Sequence, residues 1–162
     1  MITLPLEYDL RDLSATERFG TVLGTVLEHG GAVFLAGALG SGKTTLVRAI
    51  VRSLGGTDAV TSPTFDLLHL YRAGTLTVFH IDGYRLMTPD EWDVLDLPVP
   101  LAPDQVLLAE WAASVSGWYP DRLEVTLARD GESPGRRVQL MAYGDDWGGR
   151  VETAAREMQD GV

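Results

Sequence analysis

Two hydrophobic rhythms alternate along the chain. Apolar residues three and four apart mark helices, and short continuous or alternating apolar runs mark strands. Phe19, Val22, Leu23, Val26 and Leu27 form a helical stripe that predicts a helix from about Leu13 to the stop at Gly30-Gly31. Ser14 with Glu17 three residues on has the form of a capping box at its start. Ala32 to Ala36 is an apolar run of the length of a buried parallel strand. Thr44 to Leu54 returns to helical spacing, with Leu46, Ile50, Val51 and Leu54 on one side. Leu4 to Leu10 predicts an opening strand or extended arm.

Further on, Leu67–Tyr71 and Leu76–His80 flank Ala73-Gly74 as a hairpin would. Pro89 to Trp92 reads as a helix opening, with proline and acids in the first turn. Gln105 to Ala109 is another apolar strand, ended by Glu110-Trp111. Leu123–Leu127 and Arg137–Ala142 predict a second hairpin around Gly131–Gly135. Residues 148–162 read as a polar C-terminal tail with some helical character. Strands alternating with helices predict an α/β fold, a mostly parallel central sheet flanked by helices with antiparallel hairpins at its margins.

Composition narrows the function. A chain of 162 residues, 45% hydrophobic, is most simply one domain with a real core. A formal charge of -10 disfavours general nucleic-acid binding, because such a surface repels phosphate at long range. The absence of cysteine excludes disulfides, thiolate metal sites and cysteine nucleophiles. The first residues lack the form of a signal peptide, and no apolar run reaches the length of a membrane span, so the expected location is the cytoplasm.

Between the Ala32–Ala36 run and the Thr44 helix stands Gly37-Ala38-Leu39-Gly40-Ser41-Gly42-Lys43-Thr44, which reads G-x-x-x-x-G-K-T, the P-loop pattern. Strand, glycine-rich loop and helix in that order are the context this pattern requires. The glycines let successive backbone N–H groups turn toward phosphate oxygens. The helix start adds unpaired N–H groups and a positive dipole end. Lys43 can reach the β- and γ-phosphates, and Thr44 offers a hydroxyl to Mg²⁺. The sequence therefore predicts a nucleoside triphosphate site.

A P-loop needs a second acid to organise the metal, usually at a strand end. Two residues qualify, Glu110 after Val106–Ala109 and Asp82 after Leu76–Ile81, with an ordinary solvated loop acid as the alternative for each. Ser62 and Thr64 follow the P-loop helix where many such proteins keep a γ-phosphate-sensing loop, although Ser-Pro-Thr alone is a turn signal. Trp111 reads equally as a core residue or as one beside a nucleotide or partner. His80 within an apolar strand fits a hydrogen-bonded core residue better than a metal ligand. Arg136-Arg137 in a hairpin reads as a solvated basic pair.

The P-loop, Ser62-Pro63-Thr64-Phe65, His80-Ile81-Asp82-Gly83-Tyr84-Arg85-Leu86 and Glu110-Trp111, in this order, resemble the TsaE (YjeE) family of small bacterial P-loop ATPases, over about residues 5 to 145. The chain departs from the family pattern at Ala38, where an acid is usual, at Ile81, and at Gly83, which replaces a larger residue. The resemblance implies an ATPase of tRNA threonylcarbamoyladenosine synthesis. Leu39, Gly40, Ser41, Gly42, Lys43, Thr44, Thr45, Ser62, Thr64 and Trp111 would meet the nucleotide. Thr44, Glu110 and Asp82 would hold Mg²⁺, and Lys43, Asp82 and Glu110 would serve hydrolysis. Partners would be TsaD and TsaB, with tRNA held indirectly through them. Hydrolysis would reset the complex between turnovers, and would be slow alone because no arginine finger is assignable; Arg85 is one candidate.

Three other readings share these residues. A small-molecule kinase would need an acceptor pocket and lid arginines, for which only Arg136 and Arg137 offer themselves. A GTPase would need N-K-x-D, which is absent from the chain. A non-hydrolysing module would use the nucleotide only to control assembly.

Overall fold

The computed structural model describes residues 5–57, 60 and 67–160. Seven strands form one sheet in the order β1-β7-β6-β2-β5-β4-β3. They are β1 (Leu6–Leu10), β2 (Gly31–Ala36), β3 (Leu68–Ala73), β4 (Leu76–Asp82), β5 (Gln105–Glu110), β6 (Arg122–Arg129) and β7 (Arg136–Tyr143). The helices are α1 (Leu13–Val26), α2 (Lys43–Ser53), α3 (Pro89–Asp93) and α4 (Asp145–Asp160). A 3₁₀ turn spans Ala113–Trp118.

The four central strands, β6, β2, β5 and β4, are parallel, while β3, β7 and β1 join antiparallel at the margins. The hairpins at the margins are as expected, but the expected mostly parallel sheet is corrected: three of the six strand pairings are parallel and three are antiparallel. Each predicted hairpin shares one strand with the parallel centre, and β1 adds a further antiparallel partner by pairing with β7. The sheet is therefore mixed.

Period-two alternation divides the strand residues between two cores. Val33, Leu35, Val78, Val106, Leu108 and Val125 pack beneath α1, α2 and α4. Ala32, Phe34, Ile81, Leu107 and Ala109 pack on the other face with Trp92 of α3 and with Val115 and Tyr119. Long helices thus cover one face only. The other is closed by a five-residue helix, the 3₁₀ turn and loops.

Local chemistry explains the element ends. The α1 cap is Asp12, whose side chain accepts from the Ala15 N–H at 2.9 Å. Ser14 lies inside the helix, so the predicted capping box is corrected. An aspartate cap is worth about 1 kcal/mol, and using it lets α1 begin at Leu13. The segment read as a polar tail is most of α4, whose Trp147, Val151 and Ala154 are buried. No helix among the described residues is long and apolar enough to cross a membrane.

Candidate functional site: a glycine-rich cradle at the strand ends

β2, β4 and β5 run parallel, so their carboxyl ends open on the same edge of the sheet. The chain leaves β2 through the P-loop and enters α2 at Lys43. Three P-loop glycines have positive φ: Gly37 at 144°, Gly40 at 78° and Gly42 at 107°. Gly37 is required twice over, since a Cβ there would stand 2.4 Å from the Leu127 carbonyl oxygen. Gly42 caps α2 with no side-chain bond to the helix start. The first amides of an 11-residue helix therefore remain available to an anion.

A cavity of about 270 Å³ lies over this turn, lined by Leu39, Gly40, Ser41, Gly42, Lys43, Thr44, Thr45, Asp82, Glu110, Trp111 and Arg136. Every site residue proposed from sequence in the described part of the chain lines it. Ser62 and Thr64 lie outside the described residues. Asp82 and Glu110 are register partners across β4 and β5, so the two acids stand side by side at the cavity floor. The Asp82 Oδ1 accepts from the Tyr84 N–H at 3.0 Å. Glu110 is 3% exposed, and its Oε2 lies 2.6 Å from Nε2 of the fully buried His80. His80 is the hydrogen-bonded core residue expected, but its partner is one of the site's acids.

Lys43 is 6% exposed. Its ammonium donates to the carbonyl oxygens of Gly37 and Ala38 and stands 4.5 Å from the centre of the Trp111 ring. Burial pushes the Lys43 pKa below that of an ordinary lysine, and the negative charges of Glu110 and then Asp82 oppose that shift. The balance describes a cation held in poor solvent and looking for more negative charge. Trp111 is 38% exposed, has φ of 54° and meets Tyr84 edge-on at 5.2 Å. A left-handed backbone is strained for an aromatic residue and is typical of functional turns. Gly83 fits beneath it, donating its N–H to the Glu110 carbonyl at 2.8 Å. A Cβ at Gly83 would meet Cζ2 of Trp92 at 2.3 Å and the Trp111 oxygen at 2.5 Å. The buried Trp92 ring thus fills the room that a larger residue at position 83 would take.

Sequence reasoning missed Arg136. Its Nε donates to the Ser41 carbonyl at 2.8 Å and Nη2 reaches the Gly40 carbonyl at 3.4 Å. This clamps the loop at Gly40 and Ser41 from β7. Arg137 points away to Asp9 at 3.3 Å and is the exposed member, as expected of it. Alternation along a strand sends the two arginines to opposite faces, but only the packed sheet tells which faces the P-loop. Arg85 does not line the cavity.

Taken together, these features define an α/β protein with a glycine-rich strand-loop-helix cradle, one buried cation and two adjacent acids. The family model for the threonylcarbamoyl adenosine biosynthesis protein TsaE matches residues 10–138. The chain belongs to the TsaE family. It is 38% identical over 111 residues to the tRNA threonylcarbamoyladenosine biosynthesis protein TsaE of Treponema pallidum, covering 68% of this chain and 82% of that one. To the TsaE of Streptomyces coelicolor it is 38% identical over 135 residues, covering 79% and 90%. The crystal structure of Bacillus subtilis YdiB superposes with a TM-score of 0.76 at 25% identity, over 96% of this chain and 97% of that one. The family places the chain in synthesis of the threonylcarbamoyladenosine of tRNA.

Proposed function

We propose that the chain binds ATP with Mg²⁺ in this cavity and hydrolyses the γ-phosphoryl group, acting with TsaD and TsaB to reset the tRNA-modifying complex between turnovers. The observation that carries the reading is the convergence of Lys43, Thr44, Asp82 and Glu110 on one cavity at the N-terminus of α2.

The donor set suits magnesium. Among the described residues no group of three or more His, Cys, Asp or Glu forms a protein cage. Mg²⁺ characteristically binds one or two carboxylates plus substrate phosphates and water, not a full set of protein ligands. The Thr44 hydroxyl, Asp82 and Glu110 offer that partial set. Held by Thr44, Asp82 and Glu110, the ion would supply positive charge to offset that developing on the transferred phosphoryl group.

The chain's own residues supply positioning. The amides from Gly40 to Thr45 cradle the phosphates, and Leu39 covers the outer edge. Lys43, already desolvated, exchanges two carbonyl partners for phosphate oxygens, an interaction strengthened by the low dielectric around it. Asp82 orients the attacking water or contacts the metal, with one oxygen steadied by the Tyr84 N–H. Trp111 closes the side of the cavity next to Lys43. Ser62 and Thr64 form the phosphate-sensing loop in this reading.

Turnover by the isolated chain is slow. Arg136 is the cavity's arginine, and its guanidinium is committed to the carbonyl oxygens of Gly40, Ser41, Pro134 and Gly135. A group from a partner would supply the missing charge; an arginine finger contributes about 10³–10⁵-fold. The acidic surface fits this assignment, because the tRNA is then held by the partners.

The test is Mg-dependent ATP hydrolysis by the chain alone and with TsaB, TsaD and tRNA, beside Lys43→Ala. Expected are a slow basal rate, stimulation of at least about tenfold by the partners, and a loss of about 10²–10³-fold in the variant. ATP binding without any response to the partners would defeat the reset role. Transfer of phosphate to a small alcohol would favour the kinase reading.

A further inference from the structure

The register of β4 and β5 places a second residue behind the catalytic acids. Asp82 pairs with Glu110, and His80 pairs with Leu108. Residues two apart share a face, so His80 lies diagonally behind Glu110 on the face that α2 covers. The imidazole is wholly buried, and the Tyr71 ring lies tilted against it at 6.3 Å between centroids.

Hydrogen-bond accounting assigns the tautomer. Nε2 faces the Glu110 carboxylate at 2.6 Å. Nδ1 is buried and has no partner among the described residues. A proton on Nδ1 would leave a buried N–H donor unbonded, which is rarer and costlier than an unused acceptor. Hydrogen on Nε2 satisfies the pair, with the imidazole donating and the Glu110 carboxylate oxygen accepting.

We infer that His80 is a positioning residue for Glu110. It donates Nε2–H to one carboxylate oxygen, fixes the rotation of the carboxylate, and leaves the remaining lone pairs for the divalent cation that accompanies the nucleotide. The inference rests on the Mg–nucleotide reading above. Such a clamp has work to do here. Glu110 is the last residue of β5, immediately before the left-handed turn at Trp111, and the Lys43 cation attracts it across the cavity. A free glutamate side chain would fold toward Lys43 when no nucleotide is present. Lys43 instead bonds to the carbonyls of Gly37 and Ala38, while Glu110 is held by His80. The cation and the acid therefore stay apart, ready for separate partners.

The experiment uses the full chain with ADP and Mn²⁺, reading free Mn²⁺ by electron paramagnetic resonance. His80→Gln carries an amide N–H as far out as Nε2, whereas the amide of His80→Asn falls one bond short. His80→Asn should weaken Mn²⁺ binding to the ADP complex about 10- to 100-fold, with ADP affinity in the absence of metal within about twofold of wild type. His80→Gln should recover to within about threefold. In a Glu110→Gln background His80→Asn should add less than about twofold, because its route is gone.

Unchanged Mn²⁺ affinity in His80→Asn overturns the inference. So does an equal loss of metal-free ADP binding, or a full effect that persists without the Glu110 carboxylate; either would mark simple packing. A wild-type chain that binds no ADP overturns the nucleotide reading and this inference together, and wild type alone shows it. Should His80→Asn fail to fold, ¹⁵N imidazole spectra of the wild type decide: hydrogen on Nε2 sustains the assignment, and hydrogen on Nδ1 with none on Nε2 overturns it.

Discussion

The two ends of the parallel strands make opposite use of polar groups. At the carboxyl ends, polar capacity is left over. Ser41 Oγ, His80 Nδ1 and Trp92 Nε1, the buried side-chain atoms without a partner among the described residues, all belong to this end. Lys43 is desolvated, and Trp111 holds a strained backbone. At the amino ends, a larger hollow of about 320 Å³ is bounded by His29, Pro100, Trp118, Trp147 and Arg150. There the charge is spent: Arg150 donates to the carbonyls of Val26 and Gly30, pairs with Asp146 at 2.9 Å and lies 4.8 Å over the Trp147 ring. A third hollow, about 430 Å³ between α1 and α4, is larger still. Volume therefore does not find the chemistry. Unmet hydrogen-bonding capacity, desolvated charge and strain do, because each has a cost that folding alone would remove.

The sharpest way to break this contrast is Gly83→Ala. The added methyl must displace the Trp111 carbonyl and the Trp92 ring. Overpacking of this kind costs about 1–3 kcal/mol, or a fall of about 5 °C in the melting temperature. ADP affinity should fall with it as Trp111 shifts. Circular-dichroism melts and ADP titration read both, and an unaltered melt would mean that the carboxyl end is looser than its strained backbone implies.

A matched pair of arginines comes next. Arg136 and Arg150 each tie loop carbonyls from a distant element, one at each end. Arg136→Ala should weaken ADP binding about tenfold, the equivalent of about 1.4 kcal/mol, while leaving the melt nearly in place. Arg150→Ala should cost about 1–2 kcal/mol of stability with ADP affinity unchanged. The reverse pattern, stability lost at Arg136 and binding lost at Arg150, would dissolve the division between the ends.

The smallest effect concerns Tyr119, on the face opposite the long helices. Its hydroxyl donates to the Pro98 carbonyl at 2.9 Å, and burial pushes its pKa from 10.0 up to about 12. A raised tyrosine pKa means that the fold favours the neutral phenol. Its contribution is complete below pH 10 and is lost as pH rises through about 12, since the unfolded chain gives up its proton first. Tyr119→Phe should thus be less stable than wild type by about 1 kcal/mol at pH 8, and the gap should narrow above pH 10. Urea melts of both proteins at pH 8 and pH 11 measure it. A gap independent of pH would assign Tyr119 to packing alone.

Local signals carried most of the elements. The P-loop glycines, the apolar run before them and the helical spacing after them are short-range features, and the structure places all three as read. The acids at the ends of β4 and β5 were legible because strand ends are set by the apolar runs that precede them. The cap at Asp12 was missed because Ser14 offers another side-chain acceptor for helix-start N–H groups two residues later, with Glu17 at capping-box spacing. What β1 pairs with was out of reach, since β1 and β7 are separated by most of the chain and neither strand names its neighbour.

The sequence by itself determined the cradle and its chemistry: a backbone that only glycine tolerates, a lysine and threonine at a helix start, and acids at strand ends. These are consequences of local conformation and residue type, and they were enough for the family resemblance that the comparisons then established. Tertiary structure decided the rest. Parallel register set Asp82 beside Glu110 and His80 behind it; the β6–β7 hairpin swung Arg136, and not Arg137, onto the loop; and Trp92 filled the space over Gly83. Each of these is a contact between residues distant in the chain or on neighbouring strands. Its geometry follows from how the faces of the sheet are packed, which no single segment encodes.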